Sequence, residues 1–177
     1  MKFGNEVHTA MENWLKGVPL PKELSRYEFF AQPLGRYEGI EPEMKLGVTA
    51  KGEPCSFFAP DVWGRGKIDV PIVVGNSAVI LDWKTGKVWE DPFELQVQAV
   101  LLKAHHPGLQ RIAGSYVWLN ESRVGVTYAL DPGAAWEKIC GIMDDVGHRE
   151  KMGVWEKKPG KLCGWCPVMN CEYNKSG

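Results

Sequence analysis

The 177-residue sequence lacks any long apolar run and has almost no excess of charge. No stretch approaches the roughly 18 consecutive apolar residues that a membrane-spanning helix requires. Lys and Arg number 21 against 22 Asp and Glu, so the composition announces no basic nucleic-acid surface. The hydrophobic content of 44% is nevertheless too high for a disordered chain, and it favours one folded domain over residues 1–177.

A secretory signal and a disulfide framework are also missing. Acidic residues and His8 interrupt the N-terminal stretch where an apolar signal segment should lie. We therefore expect a cytoplasmic protein without a membrane partner. Because cytoplasmic thiols stay reduced, the five cysteines are expected to be free thiols or metal ligands.

Hydrophobic patterning predicts a first helix followed by strands. A 3.6-residue period over residues 7–15 is typical of an amphipathic helix. Two strands are expected between about Gly39 and Phe58. The β-branched runs 66–74 and 77–84, joined by a Gly-Asn turn, predict a hairpin.

Two Asp-Pro pairs mark the starts of later helices. Asp91 is a cap residue before Pro92, and Glu94 completes the pattern of a capping box. A second hairpin over 112–130 precedes a helix that begins at Asp131 and reaches about residue 149. This order predicts an α/β fold with a mixed central β-sheet flanked by α-helices.

Three charged residues occupy the first hairpin. Asp69 and Asp82 lie on its two arms, and Lys84 follows two residues after Asp82. Because strand side chains alternate, Asp82 and Lys84 should share one face, with Trp83 on the other. Two carboxylates and an ammonium are expensive to bury without a purpose, and a divalent cation such as Mg²⁺ or Mn²⁺ supplies one. For Asp82 and Lys84 alone, an exposed ion pair is the commoner explanation.

The hairpin sequences also resemble a known family. The runs Gly66-Lys67-Ile68-Asp69-Val70 and Asp82-Trp83-Lys84-Thr85-Gly86 are similar to the core of PD-(D/E)XK nucleases, in the RecB-like branch that includes CRISPR-associated exonucleases. His8 matches a histidine on the first helix of that branch. Gln96 matches the glutamine that opens its Q-x-x-x-Y pattern, with Val100 at the tyrosine position. The resemblance implies a restriction-endonuclease-like core.

This resemblance assigns roles to particular residues. It implies four metal ligands: His8, Asp69, Asp82 and the backbone carbonyl of Trp83. It implies four catalytic residues: Asp69, Asp82, Lys84 and Gln96. Gln96 would also contact DNA, together with the candidate phosphate contacts Arg65 and Lys67. Glu12 shares the helix face of His8 and is a candidate either for a group that supports the metal ligands or for a ligand of a further ion.

Three cysteines crowd the tail of residues 151–177: Cys163, Cys166 and Cys171. In the resembled branch, C-terminal cysteines often help to hold an iron–sulfur cluster. Such clusters and structural zinc sites use four protein ligands, and residues 1–7 contain no cysteine. An iron–sulfur cluster, a zinc site and unmetallated thiols are therefore three open alternatives.

Eight tryptophans are the last feature of the sequence. Trp14, Trp118 and Trp136 are expected to be core residues. The remainder lie near the first hairpin or in the tail: Trp63, Trp83, Trp89, Trp155 and Trp165. One or two of these are candidates for stacking on unpaired bases, which would suit a single-stranded substrate.

The resemblance implies a hydrolase of phosphodiesters, namely a Mg²⁺- or Mn²⁺-dependent deoxyribonuclease. We expect an exonuclease that acts on DNA ends or single-stranded DNA in recombination, repair or replication. Its size suits a stand-alone enzyme of the phage type, and a recombination or replication protein is a candidate partner. The alternative is a non-catalytic DNA-end-binding or scaffolding module of a recombination complex. A third hypothesis is a zinc module whose cysteine-rich tail binds a partner.

Overall fold

The computed structural model describes residues 2–37 and 40–174. It divides into two compact units, Met1–Ile139 and Cys140–Gly177. Gly39, where the first expected strand region begins, lies outside the described residues.

The secondary structure of the first unit follows the predicted order. Its described strands are β1 (Met44–Val48), β2 (Pro54–Cys55), β3 (Gly64–Ile68), β4 (Val70–Val74), β5 (Ser77–Lys84), β6 (Arg111–Trp118) and β7 (Arg123–Leu130). The described α-helices are α1 (Lys2–Leu15), α2 (Glu28–Ala31), α3 (Phe93–His105) and α4 (Pro132–Met152), the last of which begins in the first unit and ends in the second. Short 3₁₀ helices cover Lys22–Tyr27, Gln32–Arg36 and, in the second unit, Lys161–Trp165.

The strands form two sheets. An antiparallel sheet has the order β2-β1-β3, and a mixed sheet has the order β4-β5-β6-β7. In the mixed sheet β5 and β6 are parallel, and the other pairs are antiparallel. The parallel pair requires a long crossover, which helix α3 provides. The α/β class with a mixed sheet flanked by helices is thereby confirmed.

The first arm of the predicted first hairpin, residues 66–74, is interrupted at Asp69. Strand β3 pairs with β1 in the antiparallel sheet, whereas β4 pairs with β5 in the mixed sheet. The Asp69 carbonyl accepts a hydrogen bond from the Glu43 N–H at 3.0 Å, and its side chain turns to the backbone of β5. The single arm predicted for residues 66–74 is therefore two strands that meet at a proposed site residue.

The two faces of β5 are buried by different helices. Ile80 belongs to a core cluster with residues of α3 such as Leu95. Trp83 points to the opposite face and packs in a second cluster with Val7 and Met11 of α1. Trp83 is therefore a core residue, and the idea that its ring stacks on bases is wrong.

Helix α3 begins and ends near the predicted residues but is capped differently. The Asp91 carboxylate accepts a hydrogen bond from the Phe93 N–H at 3.0 Å, and the helix ends at His105 before Pro107. Glu94 does not complete a capping box, because its carboxylate contacts Lys84 instead. In the described ranges, no helix combines the length and apolar character needed to cross a bilayer.

Candidate active site

Asp82 and Lys84 form a close ion pair at the end of β5. The Asp82 Oδ2 and Lys84 Nζ atoms are 2.6 Å apart, which confirms that both side chains lie on one face of the strand. Asp82 is 3% exposed, whereas Lys84 is partly open to solvent. The pair is therefore not the exposed ion pair of the commoner explanation.

Gln98 of α3 supplies the hydrogen bond that orients Asp82. Its Nε2 donates to Asp82 Oδ1 at 2.8 Å, and both side chains are buried. The other oxygen, Asp82 Oδ2, has no aligned hydrogen bond among the described residues. Burial and the charge of Asp69 raise the pKa of Asp82 to about 6, although Lys84 opposes the shift.

Lys84 is held by a second carboxylate, that of Glu94, which the sequence pattern assigns to a helix cap and not to the site. Its Nζ donates to Glu94 Oε2 at 2.7 Å. Nζ also lies 5.3 Å from the centre of the Tyr116 ring. Burial works against the charge of Lys84, but the interactions with Asp82 and Glu94 outweigh it and raise the lysine pKa. The ammonium is therefore charged at neutral pH.

Asp69 is oriented by the backbone of β5 and by α1. Its Oδ2 accepts a hydrogen bond from the Trp83 N–H at 2.9 Å. The same oxygen lies 3.3 Å from His8 Nδ1, and this contact raises the pKa of the histidine. His8 and Asp69 are therefore in direct contact with each other, and their role as metal ligands stays a prediction.

Gln96 and Gln98 lie on different sides of α3. They are two residues apart, which corresponds to about 200° around the helix axis. Gln98 is the one that reaches Asp82, while Gln96 is half-buried on another part of the helix surface. The catalytic role proposed for Gln96 stays a prediction, and Gln98 joins the candidate residues.

The other predicted residues have partners of their own. Glu12 pairs with Lys16 one turn later on α1. Lys67 Nζ donates to Glu43 Oε1 at 2.9 Å. The Arg65 guanidinium lies 5.0 Å from the centre of the Phe57 ring, and its Nη1 donates to the Phe57 carbonyl at 3.3 Å. Arg65 and Lys67 are two residues apart in β3, so their side chains lie on the same, exposed face of that strand.

Of the tail cysteines, Cys163 lies in the 3₁₀ helix Lys161–Trp165, and Cys166 and Cys171 follow it in the chain. All five cysteines in the described residues are free thiols, and Cys163 Sγ accepts a hydrogen bond from the Gly160 N–H at 3.2 Å. Within residues 2–37 and 40–174, no group of three or more His, Cys, Asp or Glu side chains forms a ready-made metal site. The cluster and zinc alternatives therefore stay predictions.

The carboxylates of Asp69 and Asp82 suit a divalent cation by their chemistry, but within the described residues they and His8 do not form a ready-made metal site. Asp82 Oδ2 is buried without an aligned hydrogen bond, and carboxylate oxygens are the ligands that Mg²⁺ and Mn²⁺ prefer. In the present arrangement the Lys84 ammonium supplies positive charge beside that oxygen. A cation near Asp82 would oppose the effect of burial and lower the pKa of the carboxyl, since it would compensate the buried charge.

Gln98 could have been noticed in the sequence, whereas Glu94 could not. Leu95, Gln98, Ala99 and Leu102 follow the spacing of one helix face. A glutamine at a core position of such a face needs a buried partner, and this was the available signal. Glu94 instead matched a capping box, which gave it a purely local explanation.

Comparisons with known proteins name no family for this chain. A scan against models of protein families finds no match, and a search of curated proteins finds none that is similar. Among solved structures, the chain is similar to a protein named only as SSO0001, with a TM-score of 0.43 and 13% sequence identity. The match covers 86% of this chain and 69% of SSO0001, and at this level it carries no argument about the site.

Proposed function

We propose that the protein is a metal-dependent DNA nuclease with a PD-(D/E)XK-type, restriction-endonuclease-like core. The observation that carries the proposal is the buried carboxylate of Asp82, which is 3% exposed and forms a close ion pair with Lys84 at the end of β5. Buried charges generally stabilise a fold less than apolar side chains of similar volume. A role in binding or catalysis gives a better reason for this arrangement than folding does.

The proposed metal ligands are the carboxylates of Asp69 and Asp82, with His8 and the Trp83 carbonyl completing the set. When bound, a Mg²⁺ or Mn²⁺ ion would neutralise charge on the phosphate and lower the pKa of a coordinated water. Around this position, Gln98 orients Asp82 through Oδ1, and the Trp83 N–H orients Asp69 through Oδ2.

Lys84 would act as a charged donor. Its pKa is raised by Asp82 and Glu94, so the Nζ atom keeps its proton at neutral pH. A protonated lysine cannot accept a proton from water, but it can stabilise negative charge that develops on a phosphate oxygen. We therefore assign Lys84 an electrostatic role in cleavage of the phosphodiester bond.

The preferred substrates are DNA ends and single-stranded DNA, so that the enzyme would act as an exonuclease in recombination, repair or replication. The test is digestion of end-labelled single- and double-stranded DNA with Mg²⁺ or Mn²⁺ and, separately, with EDTA. We expect metal-dependent release of nucleotides by the wild type and losses of at least about 100-fold in Asp82→Ala and Lys84→Ala. Asp61→Ala removes an exposed carboxylate and should cleave like the wild type.

The same assay separates the alternatives. A DNA-end-binding or scaffolding module would retain DNA in a mobility-shift assay but never cleave it. Equal cleavage by the wild type and Asp82→Ala would contradict the proposed site. The cluster proposed for Cys163, Cys166 and Cys171 is a separate question, which the visible absorption of anaerobically purified protein answers.

A further inference from the structure

A cavity of about 360 Å³ opens at the carboxyl ends of the parallel strands β5 and β6. Lys84 and Trp118 end these two strands, pair with each other in the sheet register and both line the cavity. In open α/β sheets, ligands bind in the crevice beyond the carboxyl ends of parallel strands. The cavity volume lies in the range of small-ligand sites, about 300–1,000 Å³.

The walls of this cavity are aromatic and basic. Four aromatic residues line it: Trp89, Phe93, Tyr116 and Trp118. Trp89 lies in the loop between β5 and α3 and is 75% exposed, although an indole of this size is usually buried. Lys87 of the same loop and Lys84 add two ammonium groups.

Acidic residues also line the cavity, but both are engaged. Glu94 accepts a hydrogen bond from Lys84, and the Asp91 side chain accepts one from the Phe93 N–H. The lining charges therefore balance, and Lys87 is the lysine of the cavity that makes no ion pair among the described residues. A flat ring that carries a phosphate within reach of Lys87 matches this lysine and the aromatic walls.

The indole of Trp118 forms a buried part of the cavity wall. Trp118 is 3% exposed, and its Nε1 lies beside Gly125 of β7, which does not line the cavity. The ring therefore contributes apolar surface to the wall, and a flat base can pack against such a surface.

We propose that this cavity holds an unpaired nucleobase of single-stranded DNA, with Trp89 as the stacking platform. The inference rests on the proposed nuclease function, because it makes the base a neighbour of the phosphate that contacts Lys84. Lys87 binds the backbone of the same strand. Bases inside a duplex have both faces covered by stacking, so the subsite selects unpaired nucleotides. Trp89 is a specificity-determining residue.

The test measures binding without cleavage, in EDTA, by fluorescence anisotropy. The probes are a labelled oligothymidylate, an oligonucleotide of the same length with abasic sites, and a duplex of the same length. We expect Trp89→Ala to weaken oligothymidylate binding by about 5- to 150-fold, and Trp89→Phe to retain most of the affinity. Phe29→Ala removes a ring that is 74% exposed and does not line the cavity, so it should bind like the wild type.

The abasic probe identifies the base as the ligand. It should bind the wild type weakly, and Trp89→Ala should make no further difference. An equal loss of affinity for the abasic and normal strands would overturn the proposal, as would unchanged binding of oligothymidylate by Trp89→Ala. Thymidine monophosphate that competes as strongly as the oligonucleotide would also overturn it, since the cavity would then be a free-nucleotide site.

These outcomes are separable from failure of the nuclease proposal. If the wild type binds single strands through Trp89 but releases no nucleotide with Mn²⁺, the subsite stands and the enzyme activity does not. If the wild type cleaves DNA but Trp89→Ala retains full affinity and the full preference for single strands, the activity stands and the subsite is refuted.

Discussion

Replacement of Asp82 by asparagine should stabilise the metal-free protein at pH 8. Burial and the charge of Asp69 raise the pKa of Asp82 from its ordinary 3.8 to about 6. The folded protein therefore prefers the protonated carboxyl. At about 1.4 kcal/mol for each unit of pKa, this difference amounts to roughly 3 kcal/mol of unfolding free energy.

The sign of the effect follows from the raised pKa. Stability that depends on the protonated carboxyl is complete below pH 3.8 and is lost as the pH rises through about 6. Asparagine has the same shape without the charge, its Oδ1 can still accept from Gln98, and Lys84 keeps Glu94. Asp82→Asn should therefore gain up to about 3 kcal/mol at pH 8 and about half of that at pH 5.

The assay is urea unfolding followed by tryptophan fluorescence in EDTA at pH 5 and pH 8. A gain of this size would also raise the melting temperature by about 6–12 °C for a chain of this length. The matched control, Asp61→Asn, changes an exposed carboxylate and should stay within about 0.5 kcal/mol of the wild type. A variant Asp82→Asn that is less stable than the wild type at pH 8, or that gains equally at both pH values, would refute the reasoning.

Three further predictions concern the surroundings of this carboxylate. Gln98→Leu leaves Asp82 Oδ1 without its donor and should lower the unfolding free energy at pH 8 by about 1–3 kcal/mol. The control Gln96→Leu should lower it less, and equal losses in the two variants would contradict the hydrogen bond from Gln98 to Asp82. Glu94→Gln removes one carboxylate from Lys84, so the lysine pKa should fall while Asp82 keeps the ammonium charged at neutral pH. An NMR titration that shows an unchanged lysine pKa would contradict the contact with Glu94. Mn²⁺ at about 100 times its dissociation constant should stabilise the wild type by about 2.7 kcal/mol in thermal melts, and it should not stabilise Asp82→Asn. An equal rise of the melting temperature in both proteins would show that the ion binds away from Asp82.

The arrangement within β5 was predictable because it is local. A strand alternates its side chains, so Asp82 and Lys84 had to share a face and Trp83 had to take the other. The turn at Gly75-Asn76 likewise sets which residues of β4 and β5 pair. The break at Asp69 was not predictable in this way, because it depends on the pairing of β3 with the distant strand β1.

The helix residues of the site depended on tertiary packing. Which glutamine reaches Asp82 is decided by the rotation of α3 over β5, and Gln96 and Gln98 differ by about 200° in this respect. Glu94 had a local explanation as a capping residue, but the approach of Lys84 gave its carboxylate a stronger partner.

The sequence by itself determined the α/β class, most of the helices and strands, and the shared face of Asp82 and Lys84, because periodicity, turns and strand alternation act over a few residues. Tertiary structure alone decided that Gln98 orients Asp82, that Glu94 accepts a hydrogen bond from Lys84 and stabilises its charge, and that Trp89 and Trp118 line one cavity. These contacts join segments that are distant in the chain, so they exist only once α3 has packed over the parallel strands β5 and β6.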